Sequence, residues 1–137
     1  MPWDASATAG FSAADPGDLW LPLGPRHTSV NVKVQLEDPK SMLALYRRLL
    51  GLRRGMPALN QGSYAPIDAV PDNVFAYLRA QGDERVLIVL NFGDEAACFV
   101  HKSVAGSQPL LSTSSRGAHV EGAELTLEPG EGVILRL

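Results

Sequence analysis

The side chains that could carry out chemistry in this 137-residue chain are few and widely separated. Histidines stand at His27, His101 and His119. They lack the short spacing of metal ligands, so the sequence predicts no metal site. The single Cys98 lies in the apolar run 96–100, which favours a small buried thiol over a nucleophile. The serine-rich stretch 112–115 is typical of a polar loop, and no glycine-rich phosphate loop is present, so we expect no cofactor.

Large aromatic residues concentrate near the start of the chain, where the sequence shows neither helical nor strand periodicity. They are Trp3, Phe11 and Trp20. Residues 1–35 therefore read as irregular, except that alternation over residues 30–34 could form one short strand. A loop with this much aromatic surface normally lies against another surface.

Composition and charge narrow the class of protein. Hydrophobic residues make up 45% and charged residues 20%, which fits one domain, or one domain with an appendage. There is no apolar run of about 18 residues and no secretory signal pattern, so we expect a cytoplasmic protein without a membrane partner. Residues 39–57 hold five bases and no acid. A nucleic-acid site is one interpretation, but cations that favour the negative end of a helix dipole are the stronger one.

One helix and several short strands should position these residues. Asp38 before Pro39 indicates the start of a helix, and Gly55 indicates its end. Together with the apolar spacing, these signals predict a helix over residues 39–54. Its apolar stripe is wide, so we expect it to be covered from more than one side. Strands are predicted at residues 73–79, 85–92, 98–101, 109–113, 124–127 and 132–137, with a hairpin loop of about four residues between the first two. This spacing predicts a mainly β fold, an antiparallel Greek-key-like β-sandwich.

The strand over residues 86–92 is apolar on both faces, although one face of a two-layer sandwich normally meets water. Either the helix over residues 39–54 covers the second face, or a neighbouring domain does. Among the aromatic residues, Phe75, Tyr77, Phe92 and Phe99 lie on predicted strands and are expected in the core.

Several segments together resemble the α-glucosidases of the α-amylase family, glycoside hydrolase family 13. The segments that resemble the family's late barrel loop and last barrel helix are residues 1–4, 9–12, 20–22, 31–32, 45–49, 52–53 and 57–59. The segments that resemble the family's C-terminal β-sandwich are residues 62–64, 74–79, 86–92, 125–129 and 133–135. Pro2 stands where the family usually has glutamine, and residues 101–122 match no family pattern.

The resemblance implies three parts: a late barrel loop over residues 1–37, the last barrel helix over residues 38–57, and a β-sandwich over residues 58–137. It places Trp3, Asp4, Phe11 and Trp20 at a substrate rim or a barrel interface. Asp4 is then either a substrate contact or, as we favour, a loop acid that accepts backbone hydrogen bonds. No carboxylate here matches the family's catalytic acids, so no catalytic residue is expected.

Two functions therefore remain open. The first is a non-catalytic C-terminal fragment of an α-glucosidase-type hydrolase, with a structural role in capping the barrel. The alternative is a stand-alone carbohydrate-binding β-sandwich, for which only Trp3, Phe11, Trp20 and Tyr64 are free to bind sugar. The expected partners are a missing barrel domain or a second copy of the chain, because the apolar stripe of the helix would otherwise be exposed.

Overall fold

The computed structural model describes residues 1–68 and 70–137, which form two compact units, Met1–Arg48 and Leu49–Leu137. The predicted fold class is confirmed, since the described residues form eight strands in two antiparallel sheets, with few helices. In the described part of the chain, no helix is both long enough and apolar enough to cross a membrane.

The first unit contains two short helical segments, so residues 1–37 are not wholly irregular as predicted. A 3-10 turn spans Pro16–Asp18, and helix α1 spans Val32–Glu37. The strand expected at residues 30–34 is wrong. The Asn31 side chain accepts a hydrogen bond from the Val34 backbone N–H at 3.0 Å, which caps the helix. An alternating run of three valines is too short to outweigh this cap.

Helix α2 spans Met42–Gly55 and begins three residues later than predicted. Asp38 closes a turn instead, because its carboxylate accepts the Lys40 N–H at 2.8 Å. The cap is Ser41, whose Oγ accepts the Ala44 N–H at 3.1 Å and donates to the Gln35 carbonyl at 2.7 Å. The end at Gly55 is as predicted. No residue of α2 is buried, so the expected covering from more than one side is not met within the described residues.

The second unit begins with a short helix that the sequence analysis missed and continues as strands. Helix α3 spans Pro57–Gln61. The strands are β1 Ser63–Pro66, β2 Val74–Gln81, β3 Glu84–Asn91, β4 Ala97–Val100, β5 Gln108–Ser112, β6 His119–Glu121, β7 Glu124–Leu127 and β8 Gly132–Arg136. All six predicted strands are present. Strand β6 was not predicted, and β1 was indicated only by the family resemblance.

The strands form a five-stranded sheet in the order β1-β2-β3-β8-β5 and a three-stranded sheet in the order β4-β7-β6. The hairpin between β2 and β3 has a two-residue turn rather than the four-residue loop predicted, with Gly82 at a φ of 58° as the first turn residue. The core lies between the sheets. It is built from inward residues of β2, β3 and β8 facing Phe99, Leu125 and Leu127.

The second face of β3 is buried, and a helix that neither expectation included contacts this strand. Val86 is fully buried and Ile88 is 5% exposed on that face. Helix α3, which the sequence analysis missed, packs against β2 and β3. Its Ala58 N–H donates to a Glu84 carboxylate oxygen at 2.7 Å, which ties the helix to the start of β3.

Candidate functional site

Asp4, a candidate rim residue, is engaged in local hydrogen bonds. Its Oδ1 accepts the Ser6 backbone N–H at 2.9 Å and the Ser6 hydroxyl at 2.6 Å. These bonds from Ser6 are the main reason that the pKa of Asp4 lies below its ordinary value, with a smaller contribution from the charge of Lys33. The carboxylate thus accepts a backbone hydrogen bond within its own turn, as a loop acid does.

The backbone beyond Asp4 folds tightly over the same carboxylate. Ala9 is buried with a φ of 52°, and Gly10 has a φ of 70°. A Cβ at Gly10 would lie 2.7 Å from an Asp4 carboxylate oxygen, so only glycine fits. The Trp3 N–H donates to the Ala9 carbonyl at 2.8 Å. This loop is therefore held by its own residues.

The three candidate aromatic residues of this segment keep much of their surface in solvent. Trp3 and Phe11 are each 50% exposed, and Trp20 is 92% exposed. None of their rings stacks on another aromatic ring of the described residues. The structure thus does not gather Trp3, Phe11 and Trp20 into one ring platform.

A different aromatic cluster lies on the outer face of the five-stranded sheet, formed by Tyr64, Phe75 and Tyr77. The ring of Tyr77 lies 5.3 Å from Tyr64 and 5.5 Å from Phe75. Phe75 is 43% exposed. The expectation that the four strand aromatics fill the core is therefore wrong for Phe75 and for Phe92, which are both exposed. Of the four, only Phe99 is a core residue. Alternation along β2 places Phe75 on the outward face, and Phe92 follows the end of β3 at Asn91.

Cys98 is exposed, contrary to the expectation of a buried thiol. It alternates with the core residues Ala97 and Phe99 and so points away from the core on edge strand β4. Partial desolvation, followed by a hydrogen bond and the charge of Glu124, raises the pKa of the thiol. A raised pKa lowers the thiolate fraction, so the geometry does not create an activated nucleophile.

A cavity of about 330 Å³ opens at the end of the three-stranded sheet. It lies wholly within the second unit. Its lining residues are Arg116, Gly117, Ala118, His119, Thr126, Glu128 and Glu131. Charged and polar side chains thus converge on one concave surface, which makes this cavity the candidate functional site of the described structure.

The two carboxylates of this cavity are already engaged. Glu131 is 4% exposed, and its oxygens accept the Ser112 hydroxyl at 2.5 Å and the Glu128 N–H at 2.7 Å. Glu128 accepts the Ser114 hydroxyl at 2.6 Å and pairs with Arg116 at 2.5 Å. The pKa of Glu128 lies below its ordinary value, mainly because of the hydrogen bond from Ser114 and to a smaller extent because of the charge of Arg116.

This arrangement limits the chemistry of the cavity. A glycosidase needs a general acid with a raised pKa beside a second carboxylate, and Glu128 is shifted in the opposite direction. Among the described residues, no group of three His, Cys, Asp or Glu side chains is placed to hold a metal ion. The serine stretch 112–115 supplies hydrogen bonds that support these carboxylates, consistent with the predicted polar loop.

Comparison with protein families divides the chain into two consecutive matches. Residues 1–62 match the model of the α-amylase catalytic domain, and residues 66–134 match that of the maltogenic amylase C-terminal domain. The chain belongs to the α-amylase family. The second match covers the sandwich, so the resemblance recognised in the sequence is confirmed.

Individual relatives agree with this assignment. The oligo-1,6-glucosidase of Parageobacillus thermoglucosidasius is 30% identical over all of this chain and 24% of the relative. The human amino acid transporter heavy chain SLC3A1 is 34% identical over 98% of this chain and 20% of the relative. The solved trehalulose synthase MutB of Pseudomonas mesoacidophila MX-45 is 37% identical, with a TM-score of 0.84 over 98% of this chain and 24% of that chain. This family member spans about a quarter of the length of these relatives.

Sequence reasoning missed the cavity because its lining comes from separate strands and loops. One signal was available: Glu128 and Glu131 flank the Pro129-Gly130 turn, and the Glu131 N–H donates to the Glu128 carbonyl at 3.1 Å. A tight turn brings the backbones of the residues on either side close together in any fold.

Proposed function

We propose that this chain is the non-catalytic C-terminal portion of an α-glucosidase-type hydrolase, and that the complete protein hydrolyses α-glucosidic bonds. The observation that carries the proposal is the order of the two family matches, a catalytic-domain segment followed directly by a C-terminal domain. In this reading the sandwich supports the barrel and does not take part in bond cleavage.

The exposed face of helix α2 supports the structural role. Met42, Tyr46 and Leu50 follow one another at a spacing of four residues and are 62%, 60% and 48% exposed. An apolar stripe at this spacing is typical of a helix that packs against a larger core. Full burial of each such side chain contributes about 1.5–3 kcal/mol. We infer that the rest of the barrel packs on this stripe, and that Trp3, Phe11 and Trp20 belong to the same barrel or its rim.

The chemistry of the carboxylates supports the absence of activity in the chain alone. Glycoside hydrolysis requires one acid and one nucleophile or base on opposite sides of the bond. Glu128 and Glu131 share a cavity, but both are held by hydrogen bonds from the chain itself. The relatives also favour a scaffold, because the same portion recurs in proteins named as a glucosidase, a trehalulose synthase and a transporter heavy chain.

A direct assay of the purified chain tests the absence of activity. We expect no turnover of a chromogenic α-glucoside above a blank. Turnover that follows the chain through purification and disappears in Glu128→Gln would contradict the proposal. Glu121→Gln, an exposed glutamate on β6 outside the cavity lining, is the matched control.

A chimera tests the scaffold role. The corresponding quarter of trehalulose synthase MutB is replaced by this chain, and the product is compared with the same enzyme truncated at the junction. We expect the chimera to be folded and active, and the truncated enzyme to aggregate. If the truncated enzyme keeps full activity and solubility, the C-terminal portion has no supporting role and the proposal is wrong.

The same exposed stripe leads us to propose self-association when the chain is produced without a barrel. Sedimentation equilibrium should show a concentration-dependent dimer or larger species, reduced by Tyr46→Lys on the stripe. The alternative, a stand-alone carbohydrate-binding module, is tested by titrating maltose against tryptophan fluorescence. Saturable quenching that is lost in Trp20→Ala would favour that alternative.

A further inference from the structure

The cavity at the end of the three-stranded sheet has no part in the proposed function. Arg116 to His119 lie in the segment 101–122, where the sequence analysis found no family pattern but which the match to the maltogenic amylase C-terminal domain spans. The remaining lining residues come from β7 and the turn that follows it. At about 330 Å³ the cavity is at the lower end of the range for ligand pockets, about 300–1,000 Å³. Its ligand must therefore be small.

The charges around the cavity argue against an ionic ligand. Arg116 is the only cation among the lining residues, and Glu128 already neutralises it. An anion would have to approach the Glu128 carboxylate together with the guanidinium. A cation would have to compete with Arg116 for Glu128, while both oxygens of Glu131 accept hydrogen bonds from the chain. An anion therefore finds no unpaired cation, and Glu131, the lining carboxylate without a cation partner, is buried with both oxygens already accepting hydrogen bonds.

The polar groups are held in place before any ligand arrives. Ser112 Oγ accepts the Ser114 N–H at 2.9 Å, and Ser114 Oγ accepts the Arg116 N–H at 3.2 Å. The same two hydroxyls donate to Glu131 and Glu128. The Glu128 carboxylate and the Arg116 backbone are thus held in place, and the exposed Arg116 side chain is directed to the cavity by its ion pair with Glu128. Less ordering is then required on binding.

A neutral ligand that carries several hydroxyl groups satisfies all these conditions. A hydroxyl both donates and accepts, so it can donate to Glu128 and accept from Arg116 while their ion pair stays intact. Hydrogen bonds with an ionised partner are the stronger kind. His119 and Thr126 add a ring and a hydroxyl at the same surface. We propose that this cavity binds a neutral sugar of one or two rings, with Arg116 and Glu128 as its principal hydrogen-bonding partners.

Binding is measured by titrating glucose and sucrose into the isotope-labelled chain and following backbone amide signals by NMR. We expect saturable shifts at Gly117, Ala118 and Thr126, with dissociation constants in the roughly millimolar range for a few hydrogen bonds on an open surface. Glu128→Gln and Arg116→Gln should each weaken binding about tenfold, since each removes one charge-assisted partner. Glu121→Gln should bind as the unaltered chain does.

Several results would overturn the proposal. These are the absence of saturable shifts at the cavity, shifts confined to the N-terminal tryptophans, and unchanged affinity in Arg116→Gln. Arg116 is 78% exposed, so its replacement leaves the fold intact and this variant remains informative if Glu128→Gln is unstable. Tighter binding of glucose 6-phosphate than of glucose would assign the cavity to anions instead. The titration measures no activity, so its failure leaves the scaffold proposal untouched.

Discussion

Asn91 is the residue whose replacement should most disturb the sandwich for its size. It ends β3, is 2% exposed, and makes four hydrogen bonds through its side chain. Its Nδ2 donates to the carbonyls of Glu95 at 2.8 Å and Glu128 at 2.9 Å. Its Oδ1 accepts from Asn73 Nδ2 and from the Gly93 N–H, both at 2.9 Å. One side chain thus joins the end of β3 to the turn that carries the cavity carboxylates.

The expected cost of Asn91→Ala follows from this count. Each hydrogen bond contributes a net 0.5–1.5 kcal/mol, so the loss of four amounts to about 4 kcal/mol. This is a large share of the about 5–15 kcal/mol that stabilises a typical domain. With a urea dependence of about 2 kcal/mol per molar, the unfolding midpoint should fall by about 2 M.

The assay must report on the second unit. Both tryptophans, Trp3 and Trp20, lie in the first unit, so their fluorescence does not follow the sandwich. Urea unfolding is therefore followed by far-UV circular dichroism and by amide hydrogen exchange of β3 and β8. Asn60→Ala, an exposed asparagine in α3, is the control for the substitution itself. Asn73→Ala removes only one of the four bonds and should cost about 1 kcal/mol. If Asn91→Ala costs no more than Asn73→Ala, the four-bond reasoning is wrong.

Three further predictions concern single residues. Gly10→Ala should destabilise the first unit by about 1–3 kcal/mol, because alanine is disfavoured at a φ of 70° and its Cβ would clash with the Asp4 carboxylate. Urea unfolding followed by tryptophan fluorescence measures this loss, and an unchanged stability would refute the prediction. Ser41→Ala should cost about 1 kcal/mol in the same assay through loss of the helix cap, and a null effect would contradict the capping role of Ser41. Ser114→Ala should flatten the acid sensitivity of the sandwich. The folded pKa of Glu128 is lowered, so its stabilisation is present above the ordinary value of 4.5 and is lost as pH falls through the folded pKa. Circular dichroism melts at neutral and acidic pH compare the variant with the unaltered chain, and equal acid sensitivity would contradict the role of Ser114.

Local signals in the sequence were sufficient for most of the second unit. Period-two alternation with glycine and proline between the runs located six strands, and the resemblance pointed to the seventh at residues 62–64. They failed where two local signals compete over a few residues. Asn31 and Ser41 cap their helices through side-chain hydrogen bonds. The alternating residues 30–34 obscured the Asn31 cap, and the Asp38-Pro39 pair obscured the Ser41 cap.

The sequence by itself determined the fold class and the family, because these depend on periodicity, turn residues and the order of local motifs. Only the tertiary structure decided which side of a strand faces solvent and where each strand ends, so Cys98, Phe75 and Phe92 are exposed against expectation. The tertiary structure also decided which residues line the cavity. Arg116 and Glu128 stand twelve positions apart in the chain and meet because strand pairing and a buried Glu131 bring their loops together. Such contacts depend on long-range register, which no local pattern specifies.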